Sequence, residues 1–281
     1  MKGRITTVST AVLSIALLTE MPAEADPFFF STGSPDGLIA TLSRTASPGK
    51  SETETADDFF TTAPTTRITN ATFTGLLIGG ATPANVSDLE IELYHVFPLD
   101  SVNPPDGRVI TRANSPSDNN FAAADSALGQ LTFTTKVLNS SFTAANSVLH
   151  GINPLPNQFT GGEGAVTGAE VEFDVTFTTP FELGPDHVFF RPEVDLGSAG
   201  DFLWLSAPKL GAPDLQSWIR NDGPGGLAPD WERIGTDITH QGPFDAAFSI
   251  TGQTVPEPSS LALLGSALGA LSFARRRRRK I

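Results

Sequence analysis

Alternation of apolar and polar residues is the dominant pattern along this chain. Leu89, Ile91, Leu93, His95 and Phe97 alternate with Glu90, Glu92, Tyr94 and Val96. Leu131, Phe133, Thr135 and Val137 alternate with Thr132, Thr134 and Lys136. Val171, Phe173, Val175 and Phe177 alternate with Glu172, Asp174, Thr176 and Thr178. A period of two puts successive side chains on opposite faces of a strand, so each run predicts a strand with one apolar and one wet face. Shorter runs at Leu38–Leu42, Ile68–Ile78, Val188–Arg191, Phe202–Leu205, Gln216–Arg220 and Ala246–Thr251 predict further strands. Proline and glycine mark the loops at Pro98–Asp106, Asn153–Gly168 and Asn221–Asp230, and polar residues mark one at Ala113–Asn120. Many strands with little helical periodicity predict an all-β fold, an antiparallel β-sandwich of jelly-roll-like type. No composition shift divides the body, which reads as one domain.

The two ends follow a different pattern. Lys2 and Arg4 precede an apolar run, Val8–Leu18, and Ala23-Glu24-Ala25 has the small-x-small form of a signal-peptidase site. Residues 1–25 therefore read as a signal peptide, with the mature chain starting at Asp26. Near the other end, Val255-Pro256-Glu257-Pro258 leads into an apolar stretch, Leu261–Phe273. That stretch is followed by Arg275, Arg276, Arg277, Arg278, Arg279 and Lys280. As a helix it is about 20–24 Å long at ~1.5 Å per residue. That is short for a bilayer core of about 30 Å, and it predicts local thinning of the bilayer with snorkelling of the flanking arginines. The cations stay on the cytoplasmic side, which leaves the body outside, as the signal peptide independently requires.

Motif, short helix and Arg-rich end, in that order and at the terminus, resemble the PEP-CTERM sorting signal. The resemblance covers residues 255–281, about a tenth of the chain. It implies recognition by an exosortase, a membrane-embedded cysteine protease of Gram-negative bacteria. It also implies a transient stay in the inner membrane, cleavage near the Pro-Glu-Pro, and delivery to the cell surface or an exopolysaccharide matrix. An ordinary anchor that is never cut is the alternative. Ala56-Asp57-Asp58-Phe59 and the Ile68–Gly75 run resemble the β-sandwich ectodomains of anchored bacterial surface proteins. That likeness brings no active-site residues with it.

Charge sharpens the picture once the ends are set aside. The whole chain carries a net −13, but most of its cations sit in the two ends. Residues 26–254 hold 10 basic and 28 acidic residues, a net −18. Such a body repels nucleic acid and anionic lipid and attracts cations. Cysteine is absent, so neither a disulfide nor a thiol nucleophile is available.

Candidate chemistry in the body is sparse. His95, His150, His187 and His240 are far apart in sequence, with no paired-histidine metal motif, and neither a G-x-S-x-G elbow nor a phosphate-binding glycine loop is present. No catalytic residue is assigned. Glu90 with Glu92, and Glu170 with Glu172 and Asp174, have the spacing of paired glycosidase carboxylates. They lie opposite apolar faces, however, which predicts solvated positions. Asp57 and Asp58 are the metal candidates, for a structural Ca²⁺ completed by a distant ligand such as Asp245. Trp218 and Trp231 are the glycan candidates, because an exposed indole stacks on a sugar ring. Trp231 follows Pro229-Asp230 and is expected in a loop. The sequence therefore predicts an exported, non-catalytic surface or matrix protein with a structural or glycan-binding role. A secreted polysaccharide hydrolase and a calcium-stabilised adhesion module are the alternatives.

Overall fold

A computed structural model describes residues 25–97, 113–150, 160–212, 215–221 and 231–255. The signal peptide up to Glu24, with Ala23, lies outside the described residues. So do Pro256, Glu257, Pro258, the tail helix and the arginine block. Ala25–Val255 forms one compact unit.

The unit is all-β. Its strands are β1 (Pro27–Ser31), β2 (Ile39–Leu42), β3 (Thr53–Thr61), β4 (Thr66–Ile78), β5 (Asp88–His95), β6 (Ala122–Asp125), β7 (Leu131–Ala144) and β8 (Asn146–Val148). They continue as β9 (Val166–Leu183), β10 (Asp186–Asp195), β11 (Asp201–Ala207), β12 (Trp218–Asn221), β13 (Glu232–Arg233), β14 (Asp245–Ala246) and β15 (Phe248–Thr254). The three alternating runs are β5, β7 and β9. Among the described residues no helix is long and apolar enough to cross a membrane.

Two sheets form. The larger has the path β1-β15-β4-β11-β2-β8, with β9 on the other side of β4 and β7 beyond β9. The smaller runs β13-β12-β3-β10-β5-β6. One pair departs from the antiparallel expectation: β2 and β8 are parallel, with Ile39 opposite Asn146. The chain reaches β8 after many intervening residues, so no hairpin forces the opposite sense.

Aromatic rings join the sheets. Phe190 of β10 stacks on Phe248 of β15 with ring centres 5.3 Å apart and lies 6.4 Å from Phe73 of β4, which itself stacks on Phe173 of β9 within the larger sheet at 4.9 Å. Trp204 of β11 packs edge-on against Phe190 and donates its indole N–H to the Ala247 carbonyl at 3.0 Å. The indole's one polar atom is thus satisfied in a dry interior. Strand β11 is buried on both faces. Phe202 and Trp204 enter the main core, while Leu203 and Leu205 join a second cluster with Ala40, Leu42 and Leu76. At Gly75 a Cβ would lie 2.2 Å from the Phe202 ring and 2.5 Å from the Leu203 carbonyl. A glycine there is what lets β4 and β11 approach.

Candidate functional site

Both glycan candidates are corrected by their burial. Trp218 is 1 % and Trp231 0 % exposed. Trp231 packs edge-on against Tyr94 with centroids 5.6 Å apart, and the Arg220 guanidinium lies 4.5 Å from its ring centre. Its indole N–H donates to the Ser117 carbonyl at 3.2 Å. Trp218 belongs to the same cluster, with Ala56, Tyr94, Phe189 and Trp231. Prolines and glycines before Trp231 signalled a loop, but Trp231 directly precedes β13, which is paired to β12. Neither indole presents a face to a sugar.

Asp57 and Asp58 alternate across β3, as an extended backbone requires, yet both are buried. Asp58 Oδ2 lies 2.5 Å from His187 Nε2, and both its oxygens accept the Leu215 N–H at 3.0 and 3.1 Å. Asp57 Oδ2 accepts the Ala246 N–H at 2.5 Å, and its other oxygen has no partner. Burial, with Asp58 and Asp245 nearby, pushes the Asp57 pKa well above the carboxylate range. Asp245 takes Lys209 at 3.0 Å and the Leu210 N–H at 2.6 Å. Among the described residues no three His, Asp or Glu side chains are placed to hold a metal ion. The donor set does not fit the calcium site expected at Asp57 and Asp58, because three of the four carboxylate oxygens are taken by protein donors and no third ligand joins them among the described residues.

A charged network that the sequence did not reveal covers one face of the smaller sheet. Arg191 of β10, 2 % exposed, reaches Glu54 at 2.7 Å, Glu193 at 2.8 Å, and Glu52 and Glu92 at 3.3 Å each. Arg220 of β12 forks onto Glu54 and donates to the Asp118 carbonyl at 2.9 Å. Tyr94 donates its hydroxyl to Glu92, whose other oxygen accepts from Asn120 at 2.7 Å. Strand pairing explains the convergence, since Arg191 stands opposite Glu92, Glu193 opposite Glu90, and Arg220 opposite Glu54. Glu90 and Glu92 were expected in water; instead they border this network.

Five carboxylates, Glu52, Glu54, Glu90, Glu92 and Glu193, face two guanidiniums, so the group cannot be neutral unless some keep their protons. Burial tends to raise Glu54, but Arg191 and Arg220 outweigh it and hold its pKa below the ordinary value. Burial and repulsion from Glu54 push Glu52 up to about 7 against the pull of Arg191. Burial raises Glu193 well above its ordinary value although Arg191 is beside it. The ion pairs tie β3, β5, β10 and β12 together across this face.

An open cleft of about 370 Å³ lies on the larger sheet, across β1, β15, β4 and β9. Ser31, Thr72, Thr74 and Ser249 supply hydroxyl-bearing side chains to it, and Glu170 and Glu172 supply carboxyls. Glu170 is 9 % exposed, and its side chain makes no hydrogen bond to a described residue. Its burial, and then Glu172 beside it, raise its pKa. Glu172 has Lys136 at 3.8 Å. The carboxylate pattern was legible in sequence, but its convergence with hydroxyls from β1, β4 and β15 was not.

An all-β exported body with a sorting tail is the class these observations define. The family profile of the PEP-CTERM protein-sorting motif matches residues 254–279. The chain carries that motif, which marks an exported protein sorted by exosortase and membrane-anchored before cleavage. None of the curated proteins compared with it matches. Among solved structures it is similar to the cysteine protease and lectin-like domains of Cwp84, a surface layer associated protein of Clostridium difficile. Identity is 10%, the TM-score is 0.34, and the match covers 72% of this chain and 32% of that one. This chain thus spans about a third of that protein chain, and so distant a likeness transfers no activity.

Proposed function

We propose that this protein is a non-catalytic component of an extracellular polysaccharide matrix, and that its body binds neutral glycan through the cleft on the larger sheet. In this reading the body enters the periplasm, the tail holds it briefly at the inner membrane, and exosortase processing sends it to the surface. The observation that carries the reading is Glu170, whose side chain has no hydrogen-bond partner among the described residues and lines a cleft bordered by serine and threonine. Hydroxyl and carboxyl groups exchange hydrogen bonds with polyols, and the volume falls at the low end of the ~300–1,000 Å³ of ligand clefts.

The same cleft favours a second reading, a polysaccharide hydrolase using Glu170 and Glu172. Burial raises the Glu170 pKa, which would suit a general acid. Yet a glycosidase sets its two carboxyls on either side of the scissile bond. Glu170 and Glu172 stand side by side on one face of β9, beneath any chain lying on the sheet, so binding is the better supported activity.

Titration of the body with neutral oligosaccharides, followed by calorimetry, tests both. Wild type should bind, and Glu170→Ala should weaken binding about tenfold, the loss of roughly 1.4 kcal/mol expected when one hydrogen-bonding partner goes. Equal affinity of the two proteins refutes the cleft. Release of new reducing ends by wild type, abolished in Glu170→Ala, would establish hydrolysis instead.

A further inference from the structure

Strand β7 offers 14 residues of backbone edge, and among the described residues it pairs with β9 alone. The other edge strands of its sheet are short: β1 has five residues and starts at Pro27, and β8 has three. An unpaired edge presents a row of N–H and C=O groups that another strand can complete. Proteins usually blunt such an edge with charge, proline or bulges. Here β7 contains no Asp, Glu or Pro, and Lys136 is its one charge, on a body whose net charge is −18. Val137 and Leu138 on it are 48 % and 41 % exposed. The bulges come late. Leu131–Val137 keeps one register against Phe177–Val171, and the shifts begin only after Val137.

We infer that Leu131–Val137 pairs antiparallel with the same segment of a second copy, about a twofold axis through Thr134 and normal to the sheet. The sequence of this segment fits its own reverse. Directly opposite residues share a face of the sheet, and a centre at Thr134 sets odd positions against odd and even against even. Leu131 of one copy then meets Val137 of the other, and Phe133 meets Thr135, all on the face that continues the core. On the outer face Thr134 meets Thr134, and Lys136 meets Thr132 instead of another lysine. Seven residues at ~3.4 Å give a contact about 24 Å long. The acidic bodies meet along an edge strand free of Asp and Glu, where its own side chains add no like-charge repulsion between acids. Both copies use the same patch, so the contact closes on itself as a dimer and does not propagate. The bulges after Val137 limit the pairing to the regular half of β7.

Sedimentation equilibrium of the compact unit, residues 25–255, over the micromolar range tests the pairing. Thr134 is exposed, so its side chain can be changed without entering the core. Wild type should show the mass of two copies. Thr134→Lys and Thr134→Glu each set like charges against one another at the axis, and each should run as one copy with an unchanged far-ultraviolet spectrum. An equal mixture of these two variants should recover the two-copy mass, because Lys then faces Glu. Wild type that stays at one copy, variants that both keep the two-copy mass, or a mixture that fails to recover would each overturn the proposal.

Discussion

Arg191 shows most sharply how a single residue depends on its partners. It is nearly sealed from water, with Glu54 and Glu193 at ion-pair distance from its terminal nitrogens. Two charges taken out of water recover their desolvation only through each other, so removing one partner leaves the rest uncompensated. Arg191→Ala is expected to destabilise the body by about 3–5 kcal/mol, the usual loss when a buried pair is broken from one side. Urea unfolding of the variant measures it, and a loss below about 1 kcal/mol would mean that the carboxylates simply take up protons. The residue was not conspicuous in the sequence. Its partners Glu54 and Glu92 lie far away along the chain, and no local spacing links them. Trp231 was misjudged for the same reason, because its burial rests on Tyr94 and Arg220, which come from other strands.

Elements were more legible than residues. Strands β5, β7 and β9 alternate cleanly, and each appears where the alternation lies. Strand β3 was harder to see, since Thr53–Thr61 places Asp57 on the same face as the core residue Phe59, against the binary pattern. The burial of β11 on both faces was also hidden, because a continuous apolar run does not say how many faces are covered. Its close contact with β4 depends on Gly75. Gly75→Ala would place a methyl against the Phe202 ring and the Leu203 carbonyl, and overpacking of this kind costs about 1–3 kcal/mol. A melting temperature equal to that of wild type would show that β4 and β11 can separate at little cost.

The balance of protons belongs to the molecule as a whole. Glu52 has its pKa pushed from 4.5 up to about 7 in the fold, and Glu193 and Asp57 move in the same direction. The folded state thus holds protons that the unfolded chain releases. That part of the stability is complete below about pH 4.5 and is lost as pH rises through 7. Glu54 and Asp201 are lowered and act oppositely, losing their contribution only as pH falls below their ordinary values. Self-repulsion of a body at net −18 adds to the loss on the alkaline side. The body is therefore expected to melt at a higher temperature at pH 5 than at pH 8. A calorimetric scan showing the reverse order would mean that Glu52 and Glu193 ionise without strain.

The sequence by itself determined the address and the class of fold. A sorting tail is read in linear order by another protein, and alternation is a property of neighbours along the chain, so both survive without coordinates. Only the tertiary structure decided where the charged and aromatic side chains meet. It turned two tryptophans and two aspartates, proposed for ligands, inward to protein partners. It also gathered Arg191 with its glutamates, set Glu170 at a cleft on the larger sheet, and gave β7 only β9 as a partner among the described residues. Each of these results joins residues tens to hundreds of positions apart, and strand pairing, which sets those distances, is fixed only when the whole chain closes on its core.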